Sequence, residues 1–306
     1  MDLSQLRAFT ILAELRHFGR AADRLHITQP ALTKRLQALE AMIGARLFER
    51  DRTKTNLTPI GEALLPDATK ILAATAAFLA RGRSVVQGIE GRLDIGFGLS
   101  TIDLAPCIVG AFRRNYPAVD VSLNDFSSAE QVEHLENGDL DVGFVRLPIS
   151  SSALASRPLA RDGLALACAQ HRPSQGDPTK LEALNELGFI MLSRHRGAGL
   201  RAQIDRWSSH AGFLPRIVQT ADDIQTVLAL VAAGVGVSIV PRQAARLMGN
   251  AVELSPLGGQ EADWQIGMAW RSDRHNPALA NFLALIEERA EISAIGASSS
   301  SDELRF

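Results

Sequence analysis

Between Phe18 and Glu40 two short apolar patterns at helical spacing are separated by a few residues, and this stretch most narrows what the chain can become. Ala21, Ala22 and Leu25 form the apolar side of a first helix. Leu32, Leu36, Leu39 and Ile43 form that of a second and are expected in the core. His26 and Ile27 make the turn. Thr28 is a good N-cap, and Pro30 sits just inside the second helix, where a missing N–H costs little. The opposite face carries Gln29, Pro30, Thr33, Lys34 and Gln37. A helix packed on one side and offering these groups on the other suits a DNA major groove. Gln pairs with adenine edges, Lys with guanine or phosphate, Thr with either. An αα-hairpin with a solvated polar face carries the same pattern, so the flanking sequence decides.

The flanks favour DNA. Leu3, Leu6, Phe9, Ile11, Leu12 and Leu15 predict a first helix over residues 2–15, apolar enough to cover both motif helices. After the motif, Leu47 and Phe48 precede a basic stretch that returns to an apolar residue at Leu57. This predicts a two-stranded wing with Arg50, Arg52 and Lys54 at or near its tip, placed for phosphates or the adjoining minor groove. The net charge of −2 hides an asymmetry: residues 1–60 balance to +4, leaving −6 for the remainder. The polyanion-binding surface therefore belongs to the N-terminal part.

Thr58 and Pro59 cap a long helix predicted to run to about Gln87, with Pro66 near its start. Ile60, Leu64, Ala68, Ile71, Thr75, Phe78, Gly82 and Val85 alternate steps of three and four, a coiled-coil-like seam weakened by Thr75 and Gly82. At ~1.5 Å per residue such a helix spans roughly 40 Å, more than a compact domain needs. It is expected to join two domains and to pair with its twin in a dimer, with Gln87–Gly91 as the hinge.

From Arg92 the pattern alternates strands and helices. The reading is α + α/β: residues 1–58 a winged helix-turn-helix, 59–91 the linker helix and hinge, and 92–292 a two-lobed α/β domain. Lobe I comprises about 92–147 and 264–292, lobe II about 156–263, with Pro148–Ala155 crossing between them. Residues 293–306 form a flexible tail. Two crossovers between α/β lobes imply a ligand cleft. Ser100 with Thr101, and Ser127 with Ser128, are expected at helix N-termini, where free N–H groups favour an anion. Arg146 ends a strand facing the same cleft and suits a carboxylate. A structural salt bridge to Asp139 or Asp141 is its alternative role. Arg196 and Gly199 precede a third helix start in lobe II.

No uninterrupted apolar run reaches the ~18–20 residues that span a bilayer, and Met1–Arg7 lacks a signal-peptide core. The expectation is a cytoplasmic protein with no membrane association. Cys107 and Cys168 have no metal-ligand spacing, and their apolar flanks predict buried structural thiols, with a redox pair as the alternative. The histidines are scattered, and neither a Gly-x-Ser-x-Gly elbow nor a phosphate-binding loop is present, so no catalytic residues, metal or enzyme activity are expected.

The chain resembles the LysR-type transcriptional regulators over nearly its whole length. The resemblance rests on Ala21-Ala22-x-x-Leu25-x-x-Thr28-Gln29-Pro30-Ala31-Leu32-Thr33, Leu39-Glu40, Gly44, Leu47-Phe48-x-Arg50 and Leu57-Thr58-x-x-Gly61, in order and spacing. It implies a dimerising linker helix, a periplasmic-binding-protein-like effector domain and a homotetramer that meets promoter DNA and RNA polymerase. The family usually has Ser at 28 and 33 and Arg at 34; Lys34 replaces a bidentate fork with a point charge. Ile95–Thr101, Gly138–Pro148 and Leu230–Gly236 look like the subgroup controlling aromatic-compound catabolism, which implies an aromatic or dicarboxylic acid as effector and no resident cofactor.

Overall fold

The computed structural model describes residues 1–50, 55–170, 184–247 and 249–296. The chain divides into two compact units, one ending at Ser84 and one beginning at Val85.

In the first unit, α1 (Leu3–Leu15) opens on a capping box between Asp2 and Gln5. α2 (Phe18–Arg24) is capped by the His17 ring, which accepts from the Arg20 N–H at 3.2 Å. α3 (Gln29–Ile43) starts at Thr28, whose hydroxyl accepts from the Ala31 N–H at 3.4 Å, and ends at Gly44 in the left-handed region. Leu32, Leu36 and Leu39 are buried with Leu6, Phe9, Leu12, Ala21 and Ala22. Ile43, expected in that core, is 40% exposed. The helix stops there, and the chain turns away at Gly44 before the side chain has a neighbour to pack on. β1 (Phe48–Arg50) and β2 (Thr55–Leu57) form the antiparallel wing, Phe48 opposite Leu57. Arg52 and Lys54 lie outside the described residues. Glu40 of α3 accepts from the backbone N–H groups of Leu47, at 2.8 Å, and Phe48, so a buried-side carboxylate fastens the wing.

α4 (Pro59–Val86) begins at Thr58, which accepts from Gly61 N–H at 3.0 Å and donates to Arg46 O at 2.8 Å. Side chains at position 61 would strike the Leu47 carbonyl, which is why glycine stands there. The expected seam divides. Leu64, Ala68 and neighbouring Leu65 and Leu72 pack on their own core. Ile71, Phe78 and Val85 stay exposed, with Leu79 and Val86; Phe78 is 75% exposed. Heptad spacing cannot tell an intramolecular neighbour from a partner. By length and mean hydropathy (1.4) α4 is also long and apolar enough to cross a membrane. The sequence expectation counted uninterrupted runs and missed this.

In the second unit β3 (Glu90–Phe97) leads through a 3-10 turn (Leu99–Thr101) into α5 (Leu104–Asn115). β4 (Ala118–Asp125), α6 (Ser128–Asn137) and β5 (Val142–Leu147) follow. β3 runs parallel to both β4 and β5, as right-handed β-α-β crossovers require. β6 (Leu154–Ala169) begins inside the segment read as a lobe crossover, whose last two residues, Leu154 and Ala155, are already strand. Its first half alternates burial weakly, because one face is only partly covered. The other lobe adds β7 (Phe189–Leu192), α7 (Arg194–Ala211), β8 (Ile217–Ala221), α8 (Ile224–Ala232), β9 (Ser238–Pro241) and β10 (Val252–Pro256). The sequence reading missed β10. β11 (Asp263–Arg271) returns to the first lobe, and α9 (Pro277–Gly296) closes it, Phe282 edge-on to Phe112 at 5.2 Å. Residues 154–163 of β6 pair with β11, and 164–169 pair with β9 and β10. One strand therefore serves both lobes.

Candidate functional site

The DNA-facing side of α3 is laid out by its packing. With Leu32, Leu36 and Leu39 buried, Gln29, Pro30, Lys34 and Gln37 are exposed and Thr33 is half-buried. The Thr28 hydroxyl is engaged as the cap, and the Thr33 hydroxyl donates to Gln29 O at 3.1 Å, leaving its acceptor lone pairs and methyl outward. A hollow of about 190 Å³ between α3 and the base of the wing is lined by Phe18, Thr33, Gln37, Glu40 and Arg46. Arg50 ends β1 beside this edge, opposite Thr55. Of the basic residues read from sequence, Lys34 is exposed on this side of α3.

In the second unit the register of β5, β11 and β6 assembles a polar cluster. Arg146 lies opposite Ile266, and Asp162 opposite Trp264. Positions 264 and 266 share a sheet face, so Arg146, Trp264 and Asp162 do too. The Arg146 guanidinium lies over the Trp264 ring, 3.9 Å from its centroid. The Trp264 indole N–H donates to Ser100 Oγ at 3.3 Å. The Arg146 backbone N–H donates to Ser128 Oγ at 3.1 Å, which seats the first turn of α6 beside it. Burial pulls the Arg146 guanidinium down to about 10; the charge of Asp162 opposes the fall and that of Arg206 adds to it. Burial pushes the Asp162 carboxyl up, while the neighbouring Ser100 hydroxyl, the Gly163 and Gln243 backbone N–H groups and the charge of Arg146 hold it back. No described carboxylate lies within ion-pairing distance of Arg146: Asp141 faces Arg274 at 3.7 Å, and Asp139 faces His134 at 3.2 Å. Neither acid gives Arg146 the structural bridge considered from sequence.

The remaining predicted residues separate. Ser100 and Thr101 sit in a 3-10 turn, and the α5 N-terminus comes later, at Leu104. Thr101 is buried, its hydroxyl bonded to the Gly98 backbone, because the sharp turn after β3 needs its own donor and acceptor. Ser127 is the cap of α6 in a reciprocal box with Glu130. α7 is two helical stretches joined across a break from helical geometry at Gly197: Arg196 lies before the break, and Gly199 lies in the first turn of the longer stretch after it, where the sequence reading expected a helix start. Ser193, their N-terminal neighbour, is the cap. Gly199 is exposed, and the Arg196 side chain lies outside the described residues. Of the three expected helix starts, those of α6 and of the stretch after Gly197 are present, and the one at Ser100 and Thr101 is a 3-10 turn. Cys107, expected buried, is exposed on α5; Cys168 is half-buried in β6 opposite Glu253, and neither is in a disulfide. Asp162 and Trp264 are the members that sequence reading missed. The signal was an acid separated by one glycine, Gly163, from a wholly apolar strand run, Leu164–Ala167.

Residues 3–62 match the model of bacterial regulatory helix-turn-helix proteins of the lysR family, and residues 87–291 match the LysR substrate binding domain. The HTH-type transcriptional regulator AlsR of Bacillus subtilis is 31% identical over 285 residues, 92% of this chain and 94% of AlsR. ClcR of Pseudomonas putida is 32% identical over 291 residues, 94% of this chain and 99% of ClcR. A crystal structure of full-length CbnR complexed with its target DNA matches with a TM-score of 0.79 at 30% identity, covering 94% of this chain and 99% of that one.

Proposed function

Since the chain belongs to the lysR family of bacterial transcriptional regulators, we propose that it is a cytoplasmic, carboxylate-responsive regulator whose α/β unit binds its ligand without transforming it and holds no resident cofactor. Gln29, Pro30, Thr33, Lys34 and Gln37 read base edges and phosphates of a promoter half-site, with Thr28 fixing the start of the helix. Arg50, Arg52 and Lys54 of the wing add phosphate contacts. The exposed apolar side of α4, from Ile71 to Val86, pairs two copies, and two such dimers form the tetramer. CbnR, which shares the fold throughout, is seen on its target DNA as a full-length chain.

One observation carries the ligand class. Arg146 is a partly buried guanidinium stacked on an indole, with no described counter-ion in contact. Such a group favours a planar anion that fills its donors. Ser100 and Ser128 stand beside it for a carboxylate's remaining lone pairs. Ligand contacts from both lobes favour one lobe arrangement by the difference in affinity for the two. That arrangement sets how the tetramer bends DNA and whether RNA polymerase finds its site. Footprinting of the promoter with and without benzoate, salicylate and succinate tests the reading. An acid-dependent change in the footprint, lost in Arg146→Met with basal protection intact, is expected. A footprint indifferent to every acid would refute it.

A further inference from the structure

Asp162 is 3% exposed, and its two oxygens are unequal. Oδ1 accepts from the Gly163 N–H at 2.8 Å; Oδ2 is shut away from water, and the Ser100 hydroxyl and Gln243 N–H that act on this carboxyl stand outside hydrogen-bonding geometry to it, so no described residue fills it. Natural folds rarely leave a buried carboxylate oxygen unfilled. Arg146 shares the sheet face and feels the Asp162 charge, yet the two are not within the 4 Å of an ion pair. The other nearby cation, Arg206, is already held by Glu261 at 3.2 Å and by Gln203. The cluster therefore presents unfilled donors on Arg146 and an unfilled acceptor on Asp162, on one sheet face, beside the Ser100 hydroxyl.

We propose that the effector is a monocarboxylate carrying a hydrogen-bond donor, a hydroxyl or an ammonium group, close to its carboxylate: the carboxylate meets Arg146 and the donor meets Asp162 Oδ2. This rests on the carboxylate reading above and narrows it. A donor completes Asp162, whereas the second carboxylate of a diacid brings like charge against a buried anion. A parent acid without the donor leaves Oδ2 orphaned, and sites built for a polar group reject analogues lacking it far more strongly than sites that merely lose an apolar contact.

The test uses matched skeletons on the full-length protein, by thermal shift and calorimetry: benzoate with salicylate; 3-phenylpropanoate with phenyllactate and phenylalanine; butanoate with 2-hydroxybutanoate and 2-aminobutanoate; and succinate as the diacid. In at least one set the hydroxy or amino member is expected to bind at least about tenfold more tightly than its parent, in line with a hydrogen bond to a charged group. Asp162→Asn is expected to bring that ratio near one, and Asp162→Ser gives the same readout should the amide repack. Parents binding as well as their donor-bearing partners, or a preference that survives both variants, overturn the donor assignment alone. So does tighter binding of succinate that strengthens as pH falls, which would make Asp162 a protonated donor. Absence of binding by any acid overturns the carboxylate reading beneath it.

Discussion

Replacing Arg146 with methionine separates a binding cation from a structural one. Methionine keeps an unbranched stem over Trp264 and removes the charge. The fall of the guanidinium from 12.5 to about 10 means that holding the cation here costs roughly 3 kcal/mol relative to water, at 1.36 kcal/mol per tenfold change. Against this stands the cation–π contact at 3.9 Å, about 1–2 kcal/mol at a desolvated site. The net fall already includes the favourable charge of Asp162, and no described carboxylate is in ion-pairing contact to offset it further. The apo variant is therefore expected to be more stable by about 1–2 kcal/mol, a rise of a few degrees in Tm for a unit of this size. Carboxylate affinity moves the other way: a hydrogen bond to a charged group contributes about 1.5–3 kcal/mol, so binding should weaken by roughly 10- to 150-fold. Urea unfolding followed by near-UV circular dichroism, paired with calorimetric titration of the best-binding acid, reads both. A variant several kcal/mol less stable, or one binding acid at full strength, would refute the reasoning, since it would show that Arg146 holds the lobes together instead.

Asp162→Asn should also stabilise the apo protein at neutral pH. The folded-state carboxyl is raised above its ordinary 3.8, so the native protein binds that proton more tightly than the unfolded chain. Its contribution is present in acid and lost as pH rises from about 3.8 through the folded value; a urea-midpoint series from pH 4 to 8 should fall less steeply in the variant. Lys34→Ala is expected to weaken promoter binding and to reduce the slope of log affinity against log salt by about one, measured by gel shift. An unchanged slope would take Lys34 off the phosphate list. Phe78→Ser removes an apolar side chain worth about 1.5–3 kcal/mol when buried, in each of two paired copies. Sedimentation velocity should show dissociation at concentrations where the native protein stays assembled. Gly61→Ala forces a methyl group into the Leu47 carbonyl and should destabilise the first unit by about 1–3 kcal/mol in thermal melts.

The N-terminal unit was legible because its signals are local. Thr28 caps, Pro30 stands in the first turn, Gly44 ends the helix, and Leu32, Leu36 and Leu39 repeat at helical spacing, each answerable within a few residues of sequence. Ile43 and the α4 seam escaped because apolar spacing marks a face without naming what covers it, and at Ile71, Phe78 and Val85 no described residue does. Arg146 was legible as a charged residue ending an apolar strand. Asp162 was not, since its meaning depends on lying across β11 from Trp264, and register is a property of paired strands. The helix N-terminus expected at Thr101 failed for a related reason: hydroxyl residues favour turns and caps alike, and a 3-10 turn follows β3 there.

By itself, then, the amino-acid sequence determined the helix-turn-helix, its wing and cap, the long connecting helix and the two-lobed α/β pattern, because these follow from residue spacing and backbone preference within single elements. The tertiary structure alone decided that one strand, β6, crosses both lobes, that Arg146 rests on Trp264, and that a buried carboxylate shares their face with one oxygen unfilled. Those facts arise from residues far apart in sequence brought into register, where desolvation and charge act through distances no local pattern encodes.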